Sequence, residues 1–326
     1  GSREDCIVIA AWLLLLVPLS NQSPAWSLPH SMPVQRVSSA KTLTGDELLR
    51  IGEVHDHQHH FPETLTYYQL ALSTFRENQQ SRGVATTLVK IAQVYERQGK
   101  IQDAYVALEE AVPIFARSSD RTAHARALLV MGRVSARLGH LENARASFNQ
   151  AITLFDRVND RHGWNETLVQ LGLLDVGDGV TEPGLSLLQQ AWQDARARQD
   201  RGQQLAAVVA LGNAHWLLDR ADAARLFYDE GPQLAEVERN MTIEAMLRLR
   251  LAQLDGEDEQ LTDGIELGKR ALFLSQTLRD AATEAATLSL LADLYRKMGR
   301  SAEADESEQR ALAIYRSREI FVHGGR

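Results

Sequence analysis

One cysteine, Cys6, stands in 326 residues. It can form no intramolecular disulfide and no cysteine-rich zinc or iron–sulfur site. Proline (8) and glycine (21) are scarce, which argues against an all-β fold built on many tight turns. Aromatic residues reach only 6 %. Positive charge is in deficit: the formal net charge is −8. A general nucleic-acid binder is therefore excluded, because neutralising phosphates takes clustered Lys and Arg. What the chain does have is apolar content, 44 % of residues, too much for a disordered polymer.

The longest apolar run, Ile7 to Leu19, is followed by Pro24 and the small-x-small site Ala25-Trp26-Ser27. An apolar segment and then a cleavage site is the layout of a secretory signal peptide. The run is short of the roughly 20 residues that span a membrane. Against the signal reading, Arg3 sits beside Glu4 and Asp5 where positive charge is usual. Residues 1–27 are read as a signal peptide, with a membrane anchor or a docked apolar segment through 7–19 as alternatives. The expected location is exported (periplasmic or extracytoplasmic) or membrane-tethered. Residues 28–40, with Pro29 and Pro33 and no apolar period, read as a linker.

From Lys41 to Ile320 the chain repeats every 40 residues, giving seven units: 41–80, 81–120, 121–160, 161–200, 201–240, 241–280 and 281–320. A short tail, 321–326, follows. One column reads Ala71, Ala111, Ala151, Ala191, Gly231, Ala271, Ala311; another reads Gly52, Ala92, Gly132, Gly172, Gly212, Ala252, Ala292. Small residues at fixed offsets let helices approach to about 8–10 Å. Seven residues after the second column stand Gly99, Gly139, Gly179 and Gly299, turn glycines that accept positive φ where a first helix ends. Asp120, Asp160, Asp200, Asn240 and Asp280 close their units and cap the helix that opens the next. Gln80 is a weaker cap, and Ile320 ends the array. Heptads of a coiled coil are absent. Pro62 and Pro183 fall at second-helix starts, where proline is tolerated. Pro113 and Pro232 fall inside second helices, where a kink is expected.

Stretches such as Ile91-Ala92-Gln93-Val94-Tyr95 through Ala104, and Leu291-Ala292-Asp293-Leu294-Tyr295 through Ala304, resemble tetratricopeptide repeats in a form longer than the common 34 residues. The resemblance implies an all-α fold: an α-solenoid of seven helix-turn-helix repeats forming a right-handed superhelix, first helices lining the concave side. It also implies inward positions at one, four and five residues past the Gly/Ala column. These include Arg97, Arg133, Arg137, Leu173, Val176, Asn213, Trp216 and Leu217. The arginines are expected to meet acidic groups. Asn213 would hold a peptide backbone or carboxylate, and Leu173, Trp216 and Leu217 an apolar side chain. Trp164 and Trp192 read as core or repeat-junction residues.

Chemistry-bearing motifs are few. The run His55-Asp56-His57-Gln58-His59-His60 offers imidazoles to a transition metal, but it falls at a helix end and turn, and a solvated turn is the plainer reading. Asp175 to Gly179 has a calcium-loop flavour without the bidentate Glu. Phosphate loops, HExxH and GxSxG are absent from the sequence, so no catalytic set, metal or cofactor is expected. The leading function is a non-enzymatic scaffold or assembly factor that holds a peptide or protein segment in its groove, with a membrane-associated complex among its candidate partners and without nucleic acid. A sensor array of the kind joined to effectors such as caspase-like proteases is the second reading; the six residues after Ile320 are too few for an effector. A periplasmic metal-handling role, using His55, His57, His59 and His60, is the third.

Overall fold

A computed structural model describes residues 43–323, with side chains as far as Ser317. The leader and anchor readings, the linker and Cys6 lie outside the described residues. Fourteen helices and no strand occur among the described residues. They fall into two compact units that meet in sequence at Gly179 and Val180. The first unit holds α1 (Gly45–His57), α2 (Phe61–Glu77), α3 (Ser81–Arg97), α4 (Ile101–Ala116), α5 (Arg121–Arg137), α6 (Leu141–Arg157) and α7 (Arg161–Gly177). The second holds α8 (Thr181–Ala197), α9 (Arg201–Leu217), α10 (Ala221–Val237), α11 (Met241–Glu257), α12 (Leu261–Leu278), α13 (Ala281–Lys297) and α14 (Ser301–His323). Among the described residues no helix is long and apolar enough to cross a membrane.

Helix starts recur every twenty residues, and the two kinds of start differ. The amide three residues past Asp120, Asp160, Asp200, Asn240 and Asp280 donates to the capping side chain, opening α5, α7, α9, α11 and α13. Thr44 and Glu47 cap α1 reciprocally. Gln80 makes no side-chain cap. Second helices start without side-chain caps and rely on the turn before them: the Lys100 amide donates to Tyr95 O, and that of His140 to Ser135 O.

Left-handed residues end the helices at almost every twentieth position. The turn glycines 99, 139, 179 and 299 have positive φ, but so do His59, Gln79, Asn159, Gln199, Asp219, Arg239, Glu259 and Arg279. Ser119 is the exception. There α4 stops at Ala116, one residue early, and Ser118 Oγ takes over, donating to Phe115 O and accepting from the Asp120 amide. α4 and α10 both continue through their internal prolines, Pro113 and Pro232. At the far end α14 runs past Ile320 to His323.

At several contacts between helices a ring on one helix fills the space left by a glycine on the other. Within hairpins, a Cβ on Gly52 would fall 2.5 Å from the Tyr68 ring, on Gly132 2.4 Å from Phe148, and on Gly212 2.4 Å from Tyr228. Where the column holds Ala92 or Ala252, the residue sixteen later is Leu108 or Gly268 instead of a ring. Between hairpins the offset is eight: Phe75 faces Gly83 and Phe155 faces Gly163, each at 2.4 Å from a would-be Cβ. Ala195 and Ala235 are followed at the same offset by the larger Gln203 and Ile243. At these pairs a ring on one helix goes with a hydrogen on the other, while Phe115 is followed at the same offset by Ala123; matched volumes keep the interior at close-packed density.

The two glycine roles separate experimentally. Gly132→Ala should cost roughly 1–3 kcal/mol through overpacking, and adding Phe148→Leu should recover most of it. At Gly139 a Cβ meets nothing within 4 Å, so Gly139→Ala should cost about 1 kcal/mol through its positive φ alone, with no rescue by Phe148→Leu. Urea melts of the four variants decide this; equal behaviour at both sites would refute it.

Candidate functional site

The first helices of the amino-terminal unit present a ladder of ion pairs to one another. Lys90 on α3 reaches Glu53 on α1 at 2.8 Å, and Arg97 reaches Asp56. Arg133 on α5 grips Glu96 on α3 through two bonds, Nε to Oε1 at 3.2 Å and Nη2 to Oε2 at 2.9 Å. Glu166 on α7 stands 3.5 Å away on its other side. Arg137 donates to the Glu96 carbonyl at 2.9 Å. The Arg133 and Glu96 side chains are only 20 % and 11 % exposed. Burial opposes the Arg133 charge, but Glu96 and then Glu166 outweigh it and hold its pKa above the ordinary value. The expectation that Arg97, Arg133 and Arg137 stand ready for acidic ligands needs correcting: all three already bond to neighbouring repeats. Leu173 on α7 is half-buried, and Val176 is buried.

In the carboxy-terminal unit the same face is built differently. Asn213 on α9 is 4 % exposed, and its Oδ1 accepts the Tyr228 hydroxyl at 2.6 Å. Burial, eased somewhat by Arg250, raises the Tyr228 pKa and keeps the phenol a donor. Asn213 is thus committed to α10 rather than to a ligand, which corrects the role expected of it. Trp216 is half-buried, packed against the core that includes Leu247 and Leu251. The Arg250 guanidinium carbon lies 5.8 Å from the Trp216 ring centroid, and its Nη1 donates to Gln253 Oε1 at 3.0 Å. Leu217 is half-buried beside it. On α13, Lys297 donates to the Gly256 carbonyl at 2.7 Å.

A second kind of contact escaped the column analysis. Arg145 on α6 bonds Asp175 at 2.7 Å and Asp178 at the end of α7. Eighty residues on, Arg225 on α10 bonds Asp255 at 2.7 Å and Asp258 at 2.9 Å at the end of α11. The acidic residues of the calcium-like stretch are thus spent on a clamp between helices. The same positions hold Leu65 with Tyr95 and Ile265 with Tyr295, each pair in a shared apolar cluster. The signal was available: where one column turns to Arg, the column thirty residues later turns to Asp.

The histidine run forms ring contacts, with the His55 and His60 centroids 6.1 Å apart. His55 stacks on Tyr67 with ring centroids 5.3 Å apart, His59 occupies a left-handed turn edge-on to Phe61, and His60 precedes α2. Among the described residues no three His, Cys, Asp or Glu side chains are placed to share a metal ion. His215 repeats the His55 arrangement: it is 9 % exposed and stacks on Phe227 at 5.6 Å. Trp192 meets that Phe227 edge-on at 6.1 Å, and Trp164 is buried under Arg161.

Two segments, 83–157 and 285–318, match family models described as tetratricopeptide repeat. No curated protein matches. Solved structures do. The apo form of RapI is 14 % identical with a TM-score of 0.63, covering 84 % of this chain and 98 % of its own. A signal-transduction ATPase with a tetratricopeptide repeat sensor from Pyrococcus horikoshii is 14 % identical at a TM-score of 0.66, over 86 % of this chain and 42 % of its own. The Rap conjugation gene regulator of plasmid pLS20, solved with the Phr* peptide, is 17 % identical at a TM-score of 0.57, over 92 % and 83 %. At these identities the likeness establishes the fold.

Two outcomes follow from the geometry. Arg133→Glu with Arg137→Glu places carboxylates against Glu96 and Glu166. It should destabilise the first unit by about 3–5 kcal/mol, the scale for breaking a buried pair; a wild-type urea melt would show the arginines to be free. The second concerns pH. Burial first, and Arg220 next, lower the His215 pKa below 6.5, with Glu182 opposing. The folded state then prefers the neutral ring, while the unfolded chain takes up a proton first as pH falls. Stability should be full above pH 6.5 and decline below it, and His215→Gln should flatten that decline between pH 7 and 5.5 in urea midpoints.

Proposed function

Because this chain is a tetratricopeptide-repeat protein, we propose that it works as a non-enzymatic scaffold that holds a peptide or protein segment on its first-helix faces. One observation carries the reading: Trp216, an aromatic at one of the inward positions on α9, is only partly buried, with Leu217, also partly buried, next to it in the chain. Its counterparts on α1 and α3, Asp56 and Glu96, are taken up in ion pairs. Interface energy concentrates in such aromatic anchors. Similar structures include a Rap regulator solved with a peptide, which supports a peptide as the partner class. The non-enzymatic reading rests on the missing catalytic motifs and on how the polar side chains are used, in helix-to-helix pairs and ring stacks.

A sensor role is the second reading, favoured by likeness to the tetratricopeptide repeat sensor of the Pyrococcus ATPase, of which this chain covers 42 %. The metal-handling reading is the weakest, since among the described residues no three His, Cys, Asp or Glu side chains are placed to share an ion. Export or tethering through residues 7–19 remains our proposal for location and brings a membrane-associated complex within reach.

The test is selection of displayed dodecapeptides on the full chain. Peptides should be recovered, and Trp216→Leu, which keeps apolar contact with the α10–α11 core, should weaken them roughly 30-fold, the equivalent of about 2 kcal/mol. The loss should lie in the off-rate, with thermal stability little changed. Should the melting point fall by several degrees while peptide affinity holds, Trp216 is a core residue and the site is wrong.

A further inference from the structure

The forty-residue period supplies an internal control for Arg250. Four units earlier, Lys90 occupies the same position on α3 and pairs with Glu53 of the preceding first helix. For Arg250 the residue in the Glu53 position is Asn213, buried and bonded to Tyr228. Asp56 and Glu96 accept the other cations of the ladder, and their counterpart here is Trp216. Both carboxylates have been replaced by neutral groups. The cation has been kept, held over the Trp216 ring and bonded to the neutral Gln253. Elsewhere on the protein the half-buried arginines Arg133, Arg145, Arg225 and Arg248 each bind a carboxylate, while Arg137 bonds the Glu96 carbonyl.

From this juxtaposition we propose that Arg250 reads an Asp or Glu side chain of the bound peptide, while Trp216 and Leu217 bury an apolar side chain next to it. The ligand carboxylate takes the place that Glu53 takes for Lys90. An internal acidic side chain is the occupant because it is side chains, in the same columns, that answer the cations of the first unit. The planar guanidinium already lies against the indole, so little ordering remains when a carboxylate forks onto it. The apolar neighbour supplies affinity, and the charge supplies selection and encounter rate. This inference rests on the peptide-binding reading and adds the chemistry of the peptide.

The experiment uses the dodecapeptides selected on the full chain. Each is remade with its acidic residue changed to the amide, Asp→Asn or Glu→Gln, and separately with an amidated C-terminus. Both forms are titrated against wild type, Arg250→Gln and Arg250→Lys, with thermal melts to confirm folding. Selected peptides should carry an Asp or Glu within two residues of an apolar side chain. Side-chain amidation should weaken wild-type binding about tenfold and Arg250→Gln binding less than twofold, a coupling that a structural role for Arg250 would not produce. Arg250→Lys should restore part of the discrimination, and added salt should weaken only the acidic peptides. The proposal is overturned if selected peptides show no acidic preference, if side-chain amidation costs wild type and Arg250→Gln equally, or if only C-terminal amidation matters. Recovery of no peptides at all would instead sink the peptide-binding reading, and this inference with it.

Discussion

Everything in this protein depends on how closely neighbouring helices approach, and that is set by rings lying against glycines. Burying a Phe or Tyr side chain is worth about 1.5–3 kcal/mol, but only if the facing helix leaves room. Gly132 leaves it for Phe148, Gly212 for Tyr228 and Gly83 for Phe75. A forty-residue hairpin is too small to bury a core by itself, so each relies on its neighbours. Within each unit the same spacing, kept without insertion, brings first-helix positions 40 residues apart into register.

At those positions the decisive constraint is desolvation. A guanidinium packed between helices must find a carboxylate or remain partly in water. In the first unit Glu53, Asp56 and Glu96 meet that need from within the chain. The result is a face whose charges are already satisfied, suited to holding repeats together. In the second unit Asn213 and Trp216 stand in those columns, and Arg250 keeps its charge beside an aromatic ring. One scaffold thus carries a closed electrostatic ladder and an open cation over an indole.

The helices and their caps are legible in the repeat columns because both are local. An Asp accepts an amide three residues on whatever the rest of the chain does, and a glycine ends a helix by its own φ preference. The turn glycines are legible there too, but the eight other left-handed turn residues are not. In His59, Gln79 and Arg279 the packing on either side enforces a conformation the residue does not favour. The repeat register alone assigns Arg97, Arg133, Arg137 and Asn213 to a ligand, whereas all four are bonded within the chain. Each of these four finds its partner on another helix, 15 to 41 residues away.

By itself, then, the sequence determined an all-helical tetratricopeptide array: the twenty-residue helix spacing, the caps, and which positions had to be small. Periodicity and capping act over a few residues or repeat strictly, so they are written in one dimension. Which charges are spent and which remain free was decided only by tertiary structure. A salt bridge forms between side chains that the repeat-to-repeat stacking brings within about 4 Å, so Arg133 becomes a strut beside Glu96 while Arg250 lies over the Trp216 ring and bonds Gln253.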